Sequence, residues 1–292
     1  MSSNTSTGRT TKNTKACICI PARLNSSRLP GKLMYKLGDK TCIQRTIDKC
    51  LQTKMDVYVL TNNLIVHEHV STLFPNVKCI LSTEECKNGT ERISKHLNYI
   101  DEKYGIIVNV QADEPFIDPA NIIKALIMHC NVKFNKKHFY TTLHQEISSI
   151  EKEYLNSTSC LTLETTMTNR VLTYTRNVIP FNKQGTIVDD YMYKTFTGIY
   201  VFNRELLKIY HTLNDTPLQQ MEDIEQLKIL EHDYDIYSYN TATFNEISLN
   251  DAFDLKYLCE KYQLECTPYL SDLDVTASTN WSLASKEKKY IM

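Results

Sequence analysis

The stretch ACICIPARLNSSRLPGK, residues 16–32, decides the fold of this 292-residue chain. Its first five residues are apolar and typical of a buried strand, and a polar, cation-rich segment follows them directly. Short apolar runs and longer amphipathic segments then alternate through the first half of the chain. This alternation indicates βαβ units with a largely parallel, twisted sheet and helices on both faces. The sequence therefore predicts an α/β protein that binds ligands beyond the carboxyl ends of its strands.

The same patterns predict the individual elements. In the first half we expect strands over 16–20, 56–60, 77–81 and 106–111, and helices over 42–51, 64–73, 91–104 and 120–130. In the second half we expect strands over 159–164, 171–174, 195–202 and 236–239, and helices over 204–213, 221–230 and 251–262. Because no repeat or linker interrupts the chain, one domain is predicted over 15–265, between a disordered leader (1–14) and a loose tail (266–292).

Composition excludes several classes of function. The formal net charge is −1, so no global basic field holds a nucleic acid. No apolar run is long enough to span a membrane, and the first fifteen residues do not form a signal peptide. The 10 cysteines form no CxxC pair, which favours buried free thiols in a reducing compartment over zinc or disulfides. We therefore expect a cytoplasmic protein without nucleic-acid or membrane partners.

The polar loop after the first predicted strand carries Arg23, Arg28 and Lys32 within ten residues. Arginines offer forked donors, lysine a point charge, and Gly31 lets the backbone approach a ligand closely. Such a loop can wrap a triphosphate, although a solvated basic turn would have the same composition. The P-loop pattern is absent from it.

A second polar segment, VNVQADEPFI (108–117), follows the predicted strand 106–111. It places Asp113 and Glu114 at the carboxyl end of that strand, where carboxylates could ligate Mg²⁺ together with substrate phosphates. The alternative is a pair of acids that stabilises the N-terminus of the next helix.

Two further segments place cations near element ends. In NGTER (88–92), Arg92 could reach a ligand or pair with an acid, and Asn88 or Thr90 could cap the helix. In YTRNVIP (174–180), Arg176 lies just past a predicted strand and could meet a substrate carboxylate.

Taken in order, these segments resemble the 3-deoxy-manno-octulosonate (Kdo) cytidylyltransferases, also called CMP-Kdo synthetases. The stretches PARLNSSRLPGK, NGTERI, VNVQADEP, YTRNVIP, GIY and PLQQMEDIEQLK carry the resemblance, which covers roughly Lys15 to Tyr262. It implies a three-layer α/β/α nucleotidyltransferase with a mixed, mostly parallel sheet, dependence on Mg²⁺, and a homodimer. It also implies the reaction, in which the anomeric hydroxyl of an acidic sugar attacks the α-phosphorus of CTP and releases pyrophosphate.

The resemblance also implies roles for individual residues. Those implied to bind CTP are Arg23, Ser26, Arg28 and Lys32, of which Arg28 and Lys32 act in catalysis together with Asp113. Those implied to contact the sugar acid are Gln111, Arg176 and Gln226. Asp113 is the implied Mg²⁺ ligand.

This sequence departs from the family pattern at several of its functional positions. The departing residues are Thr83, Ala112, Phe196, Gln219 and Asn250. Asn250 stands where the family has a second metal-ligating Asp, and Asp251 is the possible substitute one residue on; Asn250 could instead cap the last helix. The alternatives are the same chemistry on a different sugar acid, and a non-catalytic scaffold that binds nucleotide.

Overall fold

A computed structural model gives the fold, and it describes residues 15–132, 139–148, 155, 160–243 and 247–269. The predicted leader and residues 270–292 of the predicted tail lie outside this part of the chain. The strands are β1 (Lys15–Ala22), β2 (Tyr35–Leu37), β3 (Lys40–Thr41), β4 (Val57–Thr61), β5 (Lys78–Leu81), β6 (Tyr104–Val110), β7 (Phe139–Ile147), β8 (Thr162–Thr165), β9 (Val171–Thr175), β10 (Tyr193–Asn203), β11 (Asp235–Asn240) and β12 (Cys266–Pro268). The helices are α1 (Cys42–Leu51), α2 (Leu64–Leu73), α3 (Gly89–Lys95), α4 (Pro119–Asn131), α5 (Arg204–Tyr210), α6 (Pro217–Glu222), α7 (Glu225–Glu231) and α8 (Ala252–Tyr262).

The central sheet follows the strand order β11-β7-β10-β6-β1-β4-β5. Parallel pairs join β1 to β4 and to β6, β4 to β5, and β7 to β11. On this path only β10 is antiparallel to its neighbours, β6 and β7. The β8–β9 hairpin adds to the sheet through the pairing of β8 with β10. The prediction of a mixed, mostly parallel sheet is therefore confirmed.

Each face of the sheet is covered by its own hydrophobic layer, because alternate residues of a strand point to opposite faces. Ile18 and Ile20 of β1 belong to the layer that includes α1, α2, α4 and α8. Cys17 and Cys19 belong to the opposite layer, which includes α3, α5 and α7. These two layers and the sheet form the predicted α/β/α arrangement. Among the described residues, no helix has both the length and the apolar character needed to cross a membrane.

Strand β7 was missed by the sequence patterns because half of its eight buried side chains are polar. Thr142 and His144 are buried, and each has a hydrogen-bond partner on a neighbouring strand. The Thr142 hydroxyl donates to the Ile199 carbonyl (2.6 Å), and His144 Nδ1 lies 2.8 Å from Ser238 Oγ. Buried polar groups with partners do not interrupt a sheet, but they hide its apolar signature.

The predicted helix over 91–104 is wrong, since α3 ends at Lys95 and β6 begins at Tyr104. The reason is the buried guanidinium of Arg204, which donates to backbone carbonyls along this segment. The acceptors are Leu97 (2.7 Å), Ile100 (2.7 Å), Asp101 (3.0 Å) and Tyr104 (3.1 Å). In a helix that ran to residue 104, the Leu97 and Ile100 carbonyls would have accepted intrahelical hydrogen bonds, and here a side chain binds them instead.

The C-terminal expectations also need correction. Cys266–Pro268 forms β12, which pairs with β2, so ordered chain extends past residue 265. Cys259 of α8 and Cys266 form a disulfide with a Cα–Cα distance of 6.2 Å, so the expectation of free thiols is wrong for this pair. The remaining cysteines are free, and Cys17, Cys19, Cys42, Cys50 and Cys160 are buried as predicted.

We predict that Arg204→Lys lowers the free energy of unfolding by about 2–3 kcal/mol, because lysine reaches fewer of the four carbonyls and leaves the others buried without donors. Urea unfolding measures the effect. The exposed Arg170 provides the control, since Arg170→Lys should change stability by no more than about 0.5 kcal/mol. Equal stabilities of the two variants would contradict the role given to Arg204.

Candidate active site

A cavity of about 270 Å³ opens where β1 and β6 end. Its walls come from the loop after β1, the segment before α3, the end of β6 and the turn between α6 and α7. Its charged lining residues are Arg23, Arg28, Lys32, Lys87, Arg92, Arg176, Asp113, Asp223 and Glu225. Cations outnumber acids two to one, so this cavity suits a polyanionic ligand although the whole chain is almost neutral.

Alternation of buried and exposed residues shapes the basic loop after β1. Leu24 and Leu29 are 1% and 7% exposed and anchor the loop in the core, while Arg23 and Arg28 remain exposed beside the cavity. Leucine burial therefore holds the two arginines at the cavity. Ser26, which the resemblance assigns to CTP, is not among the residues that line the cavity.

Lys32 follows a tight change of direction. Gly31 has φ 69°, a left-handed conformation that favours glycine, and it starts the short 3-10 turn Lys32–Met34. Leu33 and Met34 are buried, whereas the Lys32 ammonium forms an ion pair with Asp113 at the cavity. The structure thus brings together two of the residues predicted for catalysis.

The end of β6 supplies Gln111 and Asp113. The Gln111 backbone amide donates to the Gly198 carbonyl of β10 (3.0 Å), which fixes the strand end, and the Gln111 side chain lines the cavity. A Cβ on Gly89 would lie 3.2 Å from Gln111 Nε2, so glycine leaves room for this side chain. Glu114 is 3% exposed and does not line the cavity, so of the adjacent acids only Asp113 faces a ligand.

Arg92 carries the clearest sign of an anionic ligand. Asn88 caps α3 by accepting from the Glu91 amide (2.8 Å), and the helix buries Arg92 to 4% exposure in the cavity wall. Its buried Nη1 atom has no hydrogen-bond partner in the part of the chain that the structure describes. Burial lowers the pKa of the Arg92 guanidinium and the charge of Arg23 lowers it further, whereas Cys86 and Glu91 oppose the shift. A buried nitrogen without a partner is costly, and an anion bound in the cavity would relieve that cost.

The second half of the chain places Arg176 in the cavity but not Gln226. Arg176 Nε donates to the Glu222 carbonyl (2.6 Å) and its Nη2 to the Asp223 carbonyl (2.9 Å). These bonds secure the turn at Asp223, whose φ is 51°, so the predicted helix 221–230 is in fact α6 and α7. Gln226 is 5% exposed and is not among the residues that line the cavity, so its contact with the sugar stays a prediction that the cavity geometry does not support.

Glu225, one residue before Gln226, was not among the predicted site residues. It lines the cavity, and its carboxylate accepts from the Thr90 amide (3.2 Å). Burial raises the pKa of Glu225 even though the Thr90 hydrogen bonds and the charge of Arg23 oppose that shift. Neighbouring residues of a helix point about 100° apart, so only one of Glu225 and Gln226 can face the cavity. Which one does so depends on where the helix begins, and the break at Asp223 sets that starting point.

Lys87 was not predicted as a site residue, and Gln219 and Phe196 were noted only as departures from the family pattern. Lys87 lines the rim and forms an ion pair with Asp215, and Gln219 lines the cavity. Phe196 does not line it; its ring instead packs on those of Tyr174 and Tyr200, at centroid distances of 5.7 and 5.1 Å.

A carboxylate such as Asp113 at the cavity is the kind of ligand that Mg²⁺ takes together with nucleotide phosphates. Asp113 pairs with the Lys32 ammonium, and the Leu249 amide donates to the Asp113 carbonyl (2.8 Å), which ties the residue before Asn250 to Asp113. Asn250 itself is not among the residues that line the cavity. Among the described residues, no three His, Cys, Asp or Glu side chains converge into a metal site. The remaining ligands of a Mg²⁺ ion here would be phosphate oxygens and water.

The structure assigns different roles to Asn250 and Asp251 than expected. Asp251, the possible substitute ligand, is the N-cap of α8, where its Oδ1 accepts from the amides of Phe253 (2.9 Å) and Asp254 (3.1 Å). Asp251 is thus held by the helix, and the alternative that Asn250 caps α8 is wrong. The Asn250 side-chain oxygen instead accepts from Arg28 Nη2 (3.4 Å).

The α/β/α fold and the cation-lined cavity at its strand ends define a nucleotidyltransferase. The chain belongs to the cytidylyltransferase family, which residues 16–236 match.

Similar proteins carry more specific names. A mitochondrial 3-deoxy-manno-octulosonate cytidylyltransferase of Arabidopsis thaliana is 36% identical over 222 residues, covering 74% of this chain and 72% of that protein. A protein of the same activity from Flavobacterium johnsoniae is 33% identical over 245 residues, covering 83% and 96%. The solved structure of CMP:2-keto-3-deoxy-manno-octonic acid synthetase complexed with CTP is 26% identical with a TM-score of 0.74, covering 86% of this chain and 99% of that one.

We predict that Arg92→Met separates stability from ligand binding. Because Nη1 has no partner, the variant should unfold at the same or higher urea concentration than the parent protein. Its affinity for CTP should fall by about 1.5–3 kcal/mol, the scale of a hydrogen bond to a charged group. Calorimetric titration measures the affinity, and Arg170→Met, at an exposed position, is the control. Unchanged CTP affinity in the Arg92 variant would exclude this residue from the ligand site.

Proposed function

We propose that this protein transfers CMP from CTP to the anomeric hydroxyl of Kdo. The sugar oxygen forms a bond to the α-phosphorus, the bond from that phosphorus to the bridging oxygen breaks, and pyrophosphate leaves. The observation that carries the proposal is the cluster of Arg23, Arg28, Lys32 and the buried Arg92 in the cavity, where the Arg92 Nη1 atom has no hydrogen-bond partner among the described residues. The names of the relatives and the CTP complex of the similar solved structure support the choice of substrates.

The residues of this chain act mainly by positioning the substrates and neutralising charge. Arg23, Arg28 and Lys32 surround the triphosphate and balance the negative charge that pyrophosphate carries away. Lys32 leaves Asp113 for a phosphate oxygen when the nucleotide binds. In-line transfer therefore needs no covalent contribution from the protein.

The acidic sugar binds in the same cavity beside Gln111 and Arg176. The Arg176 guanidinium meets the sugar carboxylate, and the Gln111 amide donates to a sugar oxygen. Glu225, whose pKa burial raises, accepts hydrogen bonds from sugar hydroxyls. These roles explain why the cavity wall formed by the second half of the chain carries both a cation, Arg176, and an acid, Glu225.

Mg²⁺ is the proposed cofactor, held by Asp113 with the Asn250 side-chain oxygen nearby. When bound, it draws negative charge from the phosphates and raises the electrophilicity of the phosphorus. Asparagine offers a neutral oxygen, which Mg²⁺ accepts less readily than a carboxylate.

We also propose a homodimer in the cytoplasm. The β8–β9 hairpin, the segment after it and α6 expose large apolar side chains, and such exposure is typical of interaction surfaces. They are Met167, Leu172, Phe181, Met192, Leu218 and Met221. The eight free cysteines support a reducing compartment.

A second candidate is the same transfer to a different keto-sugar acid. The family has a sugar-side histidine where this chain has Phe196, and Phe196 packs between aromatic rings outside the cavity wall. The sugar pocket therefore lacks that donor.

We expect the purified protein to release pyrophosphate from CTP when Kdo and Mg²⁺ are present, and less with other nucleotides or other keto-sugar acids. Asp113→Asn should reduce turnover at least about a hundredfold, since a carboxylate on the metal and phosphates contributes several kcal/mol. Asp48→Asn, which breaks a surface ion pair with Lys40, is the control and should retain the parental rate. Near-normal turnover of a folded Asp113→Asn variant would show that the metal lies elsewhere, and activity only with another sugar acid would favour the second candidate.

Asn250→Asp should lower the Mg²⁺ concentration needed for half-maximal turnover by about tenfold, because Mg²⁺ prefers a carboxylate to a neutral carbonyl. A Mg²⁺ titration of the initial rate measures the change. Asn131→Asp, at an exposed position at the end of α4, controls for the added charge. If both variants respond alike, Asn250 does not face the metal.

A further inference from the structure

Glu114 is a buried acid next to the cavity for which the proposed reaction has no use. Its side chain is 3% exposed, and its Oε1 accepts a hydrogen bond from the Ser248 hydroxyl. Its carboxyl group lies directly against Gly198, where a Cβ would come within 2.7 Å of Glu114 Cδ. Because burying an acid costs stability that an apolar side chain would not, this arrangement calls for a function.

Glu114 joins the segments that form one end of the site. Gly198, on which it is seated, accepts the Gln111 amide (3.0 Å), and Ser248 begins the segment that leads into α8. One residue on, the Leu249 amide donates to the Asp113 carbonyl (2.8 Å), and the Leu249 side chain is fully buried. Two hydrogen bonds and one buried leucine therefore tie Ser248–Leu249 to the acidic pair at the strand end.

The next residue along this segment is Asn250. Its backbone amide donates to Asp254 (2.8 Å), and its side-chain oxygen accepts from Arg28 of the basic loop (3.4 Å). The position of this oxygen relative to Asp113 depends on the two residues before it, and one of them is held by Glu114.

We propose that Glu114 is a positioning residue that acts through Ser248 to hold the Asn250 oxygen beside Asp113 at the metal–nucleotide end of the site. This inference rests on the proposed function, since it assigns the pair to Mg²⁺ and CTP. Glu114 does not line the cavity and touches neither substrate, so it acts only through its neighbours. The hydroxyl of Ser248 is the link from Glu114 to this segment that a small substitution removes.

The test compares Ser248→Ala, at a half-buried position, with Ser238→Ala, which removes a fully buried hydroxyl on β11 whose partner is His144. Ser248→Thr keeps a hydroxyl and should restore the parental behaviour. Mn²⁺ binding to the protein–CTP complex, measured by electron paramagnetic resonance, gives a readout independent of turnover. The Mg²⁺ requirement of the initial rate with CTP and Kdo gives the second.

We expect Ser248→Ala to weaken Mn²⁺ binding and to raise the Mg²⁺ requirement by about tenfold each, the effect of one hydrogen bond to a charged group. Affinity for CTP without metal should stay near that of the parent protein, since the arginines and Lys32 are untouched. Glu114→Gln, which keeps an oxygen for Ser248, should fall between the parent and Ser248→Ala. A larger loss in Glu114→Gln than in Ser248→Ala would overturn the proposal in favour of a direct charge effect.

Equal metal binding by Ser248→Ala and Ser238→Ala would also overturn it, and so would a failure of Ser248→Thr to restore binding. These results differ from a failure of the proposed function. If the proposed function were wrong, the parent protein itself would bind no metal–CTP complex and would release no pyrophosphate. The role proposed for Glu114 would then be wrong as well.

Discussion

The parallel pairing of β1 with β6 is the constraint on which the site depends. Its register sets Ile18 opposite Val108 and Cys19 opposite Asn109, so both strands end at the same edge of the sheet. The basic loop follows one strand and the acidic segment follows the other. As a result Lys32 meets Asp113 across 81 residues of sequence. A slip of one residue would turn the side chains of a strand to the opposite face and separate these groups, so burial of both strand faces protects the chemistry.

The cavity holds more positive charge than its own acids neutralise. Asp113 balances Lys32 and Asp215 balances Lys87, but Asp215 lies outside the cavity wall. Arg92 is buried with an unpaired nitrogen, and its charge is further disfavoured by Arg23. The fold stabilises this excess through the hydrophobic layers beneath it, to which the cavity residues Leu33, Ala112 and Ile224 also belong. A triphosphate would recover the electrostatic cost as binding energy, so the excess charge favours ligand binding at the expense of stability.

The fold could be predicted from sequence because apolar runs and amphipathic segments alternate clearly in the first half. Arg23, Arg28, Lys32 and Asp113 could be predicted because they lie within a few residues of strand ends. The second half could not be predicted as well, since its geometry depends on contacts between distant residues. Arg176 binds carbonyls at the α6–α7 turn and thereby decides that Glu225, and not Gln226, faces the cavity. Strand β7 could not be predicted for the same reason. Its buried polar side chains have partners on other strands, and such contacts leave no pattern in the sequence of β7 itself.

The start of α8 gives Asn250 a role that a carboxylate would fill poorly. Because Asp251 caps the helix with its own carboxylate, Asn250 stays outside the helix and turns its side-chain oxygen toward Arg28. A carboxylate at this position would form an ion pair with the guanidinium, which is stronger than the bond from the guanidinium to a neutral amide oxygen. Arg28 would then have to break that pair before it could bind phosphate. The neutral oxygen holds Arg28 in place at 3.4 Å and releases it at low cost. Asn250 therefore binds a metal ion more weakly than a carboxylate would, but it leaves Arg28 more readily available to the nucleotide.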